Sequence, residues 1–177
     1  MTVLYDEIKV NLLGDIGVGK STLIYTYRYQ RPPPVSYIPE GIDFYRKKII
    51  LKEKEINLLI FDHPNDRFYQ QWFPSYFKNT SLIILCYDVT NRNSFLHLTK
   101  WINNSKSYRG NNPMILVGLK RDLLKDTIDT KTVSQTMIRD FTEKYSIETS
   151  ISLSSLEVKA VNDLFYDIFS ILQKEFP

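Results

Sequence analysis

The chain has one cysteine, Cys86, in 177 residues. A disulfide needs two and a thiolate metal site several, so both frameworks are excluded and a reducing compartment suits the protein. Cys86 lies in the apolar run Ser81 to Tyr87 and reads as a buried core thiol. No apolar run approaches the roughly 18 residues of a membrane span. The early Asp6 and Glu7 do not suit a secretory leader. Charge of one sign is also lacking: 23 Lys and Arg against 20 Asp and Glu leave +3. That excess is too small to imply a nucleic-acid partner or a polybasic membrane patch. A cytoplasmic protein is expected. Glycine is scarce at six residues, yet three of the six are Gly14, Gly17 and Gly19.

Apolar residues make up 43% and charged residues 24%, enough to bury a core, and the length suits one domain over residues 1–177. Apolar runs alternate with helical patterns throughout, the βαβ pattern of an α/β fold with a mostly parallel sheet covered on both faces. Strands are expected at Glu7 to Leu13, Ile42 to Lys52, Ile56 to Phe61, Leu82 to Tyr87, Met114 to Gly118 and Thr149 to Leu153. Helices are expected at Lys20 to Tyr29, Arg67 to Lys78, Asn93 to Ser107, Thr132 to Tyr145 and Val158 to Lys174. Only Glu53-Lys54-Glu55 separates the second strand from the third. That is too short for a crossover, so this pair forms an antiparallel hairpin in an otherwise parallel sheet. Arg31-Pro32-Pro33-Pro34 is expected to be a stiff, extended loop.

Gly14-Asp15-Ile16-Gly17-Val18-Gly19-Lys20-Ser21 matches G-x-x-x-x-G-K-[ST] in full, after an apolar strand and at the start of a helix. Glycines let backbone N–H groups close on phosphate oxygens, and the helix adds its positive dipole end. The candidate phosphate-binding residues are Gly14, Asp15, Gly17, Val18, Gly19, Lys20, Ser21 and Thr22. Lys20 would reach the β and γ oxygens, and the Ser21 hydroxyl suits Mg²⁺, a hard ion that takes few protein ligands. The loop alone does not separate a GTPase from a small kinase.

The later segments decide between them. They are Gly41-Ile42-Asp43-Phe44, Leu59-Ile60-Phe61-Asp62, Arg67-Phe68, Tyr87-Asp88-Val89-Thr90 before Asn93-Ser94-Phe95, Lys100-Trp101-Ile102, and Leu116 to Leu123. In this order and spacing the chain resembles the Ras superfamily of small GTPases, the Rab branch most of all, over nearly its whole length. The resemblance implies a Ras-like fold with a six-stranded sheet and five helices, and a GTP/GDP switch with Mg²⁺. It also implies effector or scaffold proteins docking through residues 31–48 and 63–78. Asp62 falls where the family's aspartate holds a Mg²⁺ water. Lys120 and Asp122 match the base-reading lysine and aspartate, the latter accepting from guanine N1 and N2. Ser154-Ser155-Leu156 best matches the S-A-K segment, with the Ser155 N–H toward guanine O6; Glu148-Thr149-Ser150 ranks second.

The sequence departs from the family at several positions. The switch threonine falls on Pro39, which has neither a hydroxyl nor an amide proton. Asn65 stands where the family has the glycine that meets the γ-phosphate, and the water-orienting glutamine is missing from His63-Pro64-Asn65-Asp66. Ile16 adds bulk beside the γ-phosphate, and Leu119 replaces the asparagine that ties the base loop to the phosphate loop. Slow or absent hydrolysis is expected. A nucleotide-independent interaction module is the alternative, and a kinase a distant third. No lipid anchor is expected from the chain as it stands, so membrane recruitment would fall to a partner. His63 is expected to be an exposed loop histidine and His97 a helix-surface residue. Trp72 and Trp101 are read as core packing or a partner face, and Arg46-Lys47-Lys48 as a solvated edge.

Overall fold

The computed structural model describes residues 7–38, 43–62, 73–124 and 132–175. Its elements run β1 (Glu7–Leu13), α1 (Lys20–Tyr29), β2 (Asp43–Leu51), β3 (Lys54–Asp62), α2 (Phe73–Phe77), β4 (Leu82–Asp88), α3 (Arg92–Leu96), α4 (Leu98–Arg109), β5 (Met114–Leu119), α5 (Gln135–Tyr145), β6 (Thr149–Ser152) and α6 (Val158–Glu175). One six-stranded sheet has the order β2-β3-β1-β4-β5-β6. Only β2 runs against its neighbour; the other pairs are parallel. This is the expected α/β architecture. Strand alternation sorts the core: Ile8, Val10 and Leu12, with Ile84, Cys86, Val117 and Leu119, face one layer with Val161, Leu164, Phe165 and Ile168 of α6. Leu13, Ile83, Leu85, Tyr87 and Leu116 face the other, with Phe95, Leu98, Trp101 and Phe141. Cys86 is buried as expected, and burial pushes its thiol up to about 12.

Several boundaries differ from the sequence reading. The hairpin turns at Lys52 and Glu53, both in the left-handed region at φ 47° and 64°, so β3 begins at Lys54. Their twist suits a two-residue hairpin, but neither residue is the glycine or asparagine that signals such a turn. The helix expected over Asn93 to Ser107 occupies two segments, α3 and α4, that meet at His97. Asn91 caps the first by accepting from the Asn93 N–H. α5 starts at Gln135 rather than Thr132 because the Ser134 hydroxyl accepts from the Met137 N–H at 3.3 Å. Of the helix expected over Arg67 to Lys78, residues 67–72 lie outside the described residues and α2 ends at Phe77. Ile42 likewise lies outside them.

Arg31 to Pro34 carries no regular structure and leads into a turn closed by the Tyr37 N–H on the Pro34 carbonyl at 2.9 Å. β2 is an edge strand with Arg46, Lys47 and Lys48 exposed, and Lys48 pairs with Glu55 at 2.6 Å. Buried polar groups on β1 hold the end of α2. Lys9 Nζ donates to the carbonyls of Ser75 and Lys78, and Asn11 Nδ2 donates to the Tyr76 carbonyl and the Thr80 hydroxyl. Among the described residues no helix is long and apolar enough to cross a membrane.

α6 is joined to α1 through Phe165, which stacks on Tyr27 at 3.7 Å between centroids. Phe165→Ala empties a fully buried site at the back of the helix that opens with Lys20, and is expected to cost about 3–5 kcal/mol. Urea unfolding measures this; a loss under about 1 kcal/mol would mean the α1–α6 layer is not tightly packed.

Candidate functional site

β1 ends at Leu13, α1 starts at Lys20, and the six residues between them form a tight loop at the carboxyl end of the sheet. Gly14 sits at φ +148°, where a Cβ would lie 2.2 Å from the Cys86 carbonyl oxygen, so no side chain fits there. Gly19, at φ +113°, is the N-cap of α1 and supplies no side-chain cap. The loop folds over Lys20, which is 6% exposed; its ammonium donates to the carbonyls of Gly14 at 2.8 Å and Asp15 at 3.0 Å. Val18 is buried beneath the loop, while Gly17 and Ile16 are exposed, Ile16 at 74%. Ser21 and Thr22 follow in the first turn. The Ser21 hydroxyl donates to Asp62 Oδ2, bringing together residues 41 apart in sequence. Asp62 is buried at the end of β3, opposite Leu12 in the register.

A second cluster forms beyond β5. Lys120 follows the strand in the left-handed conformation, φ 65°, and its ammonium lies 2.8 Å from Asp88 Oδ2 at the end of β4. Asp88 also accepts from the Thr90 N–H at 2.9 Å and hydroxyl at 2.7 Å. Burial opposes ionisation of Asp88, but the bonds from Lys120 and Thr90 outweigh it and hold the carboxyl below its ordinary 3.8. Asp122 lies in the 3₁₀ turn Arg121–Leu123 with its side chain exposed. The Arg121 N–H donates to the Leu153 carbonyl at 3.2 Å, joining this turn to the loop after β6. In that loop the Ser154 hydroxyl accepts from the Leu156 N–H at 3.3 Å, and the buried Ser155 hydroxyl donates to the Gly19 carbonyl at 3.5 Å. Thr149 and Ser150, in the second-ranked match, lie within β6.

Leu119, where a polar tie was expected to be lost, makes a different tie. It is fully buried in one core cluster with Val18, and its Cδ1 lies 3.4 Å from the position a Cβ on Gly19 would take. An apolar contact and the Ser155 hydroxyl thus hold the two loops together.

Three residues at this end of the sheet had no assigned role in the sequence reading. Asp88 was part of a matched segment only. His97, read as a helix-surface residue, has Nδ1 2.6 Å from Asp15 Oδ2. Trp101 packs in the core as expected, at 6% exposed, and its Nε1–H also donates to Asp15 Oδ1 at 3.0 Å. The signals were too distant to read, since Asp15 is 82 and 86 residues away from these partners. Pro39, Gly41, His63, Asn65, Arg67, Phe68 and Trp72 lie outside the described residues. Among the described residues no three His, Cys, Asp or Glu side chains cluster as a metal-binding group.

A glycine loop between β1 and α1, a buried lysine, and a serine that meets a strand-end aspartate define a phosphate-loop α/β protein. A family model described as "Ras family" matches residues 9–174. The chain belongs to that family and is a Rab-like member of the Ras superfamily. It is 35% identical over 122 residues to the Ras-related protein RabL of Dictyostelium discoideum, covering 66% of this chain and 57% of that protein. It is 36% identical over 117 residues to the Rho-related protein racM of the same organism, covering 66% of this chain and 62% of that protein. The chain therefore spans about three fifths of the length of these relatives.

The Asp88–Lys120 pair gives a pH test. A depressed carboxyl stabilises the fold above its unfolded value of 3.8, and this is lost as pH falls through the lower folded value. Lys120→Met should cost about 1–3 kcal/mol at pH 7. The gap to wild type should shrink toward pH 2. Denaturant melts at both pH values check this; an equal gap at both would mean the pair carries no linked stability.

Proposed function

We propose that the chain binds GTP or GDP with Mg²⁺, hydrolyses GTP slowly or not at all, and acts as a regulatory or interaction protein. The observation that carries this reading is the convergence of Lys20, Ser21 and Asp62 at the phosphate loop. The Lys20 ammonium has three donors; two hold the loop carbonyls, and the third suits a phosphate oxygen. A hydroxyl and a carboxylate in contact are hard oxygen donors of the kind Mg²⁺ takes, which fits Ser21 as ligand and Asp62 acting through a water. The ion would neutralise phosphate charge when bound. On the base side, exposed Asp122 is available to accept from guanine N1 and N2. Lys120, steadied by Asp88, would lay its stem along the base, and Ser154 and Ser155 would close the far side.

Weak hydrolysis is supported by sequence: Pro39 has neither the hydroxyl nor the N–H of the family's switch threonine, Asn65 puts a side chain where the family has glycine, and no glutamine follows Asp62 at the expected position. The surface offered to an effector or scaffold spans residues 31–48 and 63–78. Its described part exposes Val35, Ile38 and Phe44. We place the protein in the cytoplasm, with any membrane recruitment through a partner. The second reading, a nucleotide-independent interaction module, is favoured by Leu119, which meets the phosphate loop through an apolar contact where the family has a hydrogen-bonding asparagine.

Lys20→Ala and Ser21→Asn should each weaken GDP binding at least about tenfold by calorimetry. Affinity equal to wild type in both would rule out the phosphate-loop reading. GTP should displace labelled GDP far better than ATP does, and Asp122→Asn should shift preference toward xanthosine nucleotides; ATP competing as well as GTP would overturn guanine selectivity. In single-turnover assays hydrolysis should be barely measurable, and Pro39→Thr alone should restore little of it. Turnover at ordinary small-GTPase rates would show that other groups position the water.

A further inference from the structure

We propose that His97 and Trp101 are positioning residues that latch the phosphate loop to the α3–α4 junction through the Asp15 carboxylate, and so set how fast bound nucleotide leaves. The proposal rests on the nucleotide reading given above. Asp15 is the second residue of the loop, and its side chain turns away from Lys20 toward the helices. A carboxylate only accepts, so each neighbouring ring must donate to it: His97 through Nδ1–H at 2.6 Å to Oδ2, and Trp101 through Nε1–H at 3.0 Å to Oδ1. Both oxygens are engaged by donors on adjacent turns of one helical arm, which fixes the orientation of the carboxylate as well as its position. On the other side, the Asp15 carbonyl accepts from Lys20. Residue 15 is thereby held through its backbone by the helix the loop leads into, and through its side chain by a different layer of the fold.

The two donors differ in anchorage. The indole of Trp101 is buried in the core cluster with Phe95, Leu98 and Ile102, so its N–H is a fixed point. His97 is the hinge between α3 and α4. Its carbonyl accepts from the N–H groups of both Lys100 and Trp101, and its side chain is 59% exposed. A shift of the helical arm is therefore passed to the phosphate loop through two hydrogen bonds. The bonds have a second consequence: they occupy a carboxylate that would otherwise stand unpaired next to a site for anionic phosphates. Loss of the donors would both loosen the loop and leave that charge without its partners at the edge of the site.

The test uses the whole chain and two readouts. The first is hydrogen exchange of the amides of residues 14–19 in nucleotide-free protein; the second is release of fluorescent GDP. His97→Ala and Asp15→Ala should each raise loop exchange and speed GDP release about tenfold. Trp101→Phe keeps the packing but removes the N–H, and should speed release by about threefold. His97→Asn places an amide N–H where Nδ1 stands and should restore both readouts to near wild type. In the His97→Ala, Asp15→Ala double variant the effects should not add, because Asp15→Ala already removes the His97 contact together with the Trp101 one. A merely structural histidine would show the same defect in Asn as in Ala, and that outcome would overturn the proposal. So would additive effects, or loop exchange unchanged in His97→Ala. Wild-type protein that binds no GDP would overturn the nucleotide reading and the release arm with it, while the exchange of the nucleotide-free loop still decides whether the latch exists.

Discussion

A buried ammonium has to be surrounded by acceptors, and the end of the sheet is built around that requirement at Lys20. Two carbonyls of the loop that precedes it supply the acceptors, and they can turn inward only because the chain bends at Gly14 with its α-carbon against the Cys86 carbonyl. A side chain at residue 14 would push β1 off β4, the pair at the centre of the sheet. The loop conformation, the strand spacing and the exposure of the lysine are therefore one constraint. The same loop leaves Gly19 at the head of α1 with no side-chain cap, so the positive end of the helix dipole faces the site.

The remaining parts of the site attach to this core by three different kinds of contact. Asp62 meets Ser21 through a hydroxyl–carboxylate bond, the base-side loop reaches Gly19 through Leu119 and Ser155, and Asp15 reaches outward to His97 and Trp101. The Leu119 contact is the least expected. An asparagine there would add directional bonds; leucine adds burial of apolar area and keeps the loops in contact without fixing their hydrogen bonding.

Much of the fold was legible in the sequence because its information is local. β4 and β5 are buried on both faces and read as continuous apolar runs, and α6 shows its stripe from Val161 to Leu172. Gly14 to Ser21 is a contiguous motif, so its place between the first strand and the first helix was legible from the sequence. Legibility failed where the deciding contact is distant or the local signal is atypical. Lys52 and Glu53 turn the hairpin without glycine. His97 breaks a helical pattern at a point whose side-chain partner, Asp15, lies 82 residues earlier. Asp88 ends β4 and Lys120 follows β5, and the adjacency of those two strands brings them together.

The central claim is that this pocket holds a guanine nucleotide. The most direct measurement is to purify the protein in Mg²⁺-containing buffer, denature it, and separate the released small molecules by ion-exchange chromatography. The account predicts GDP or GTP in near-stoichiometric amount, with adenine nucleotides at trace level. Protein that releases no nucleotide, and acquires none when incubated with excess GTP and Mg²⁺, would contradict it and leave the interaction-module reading standing.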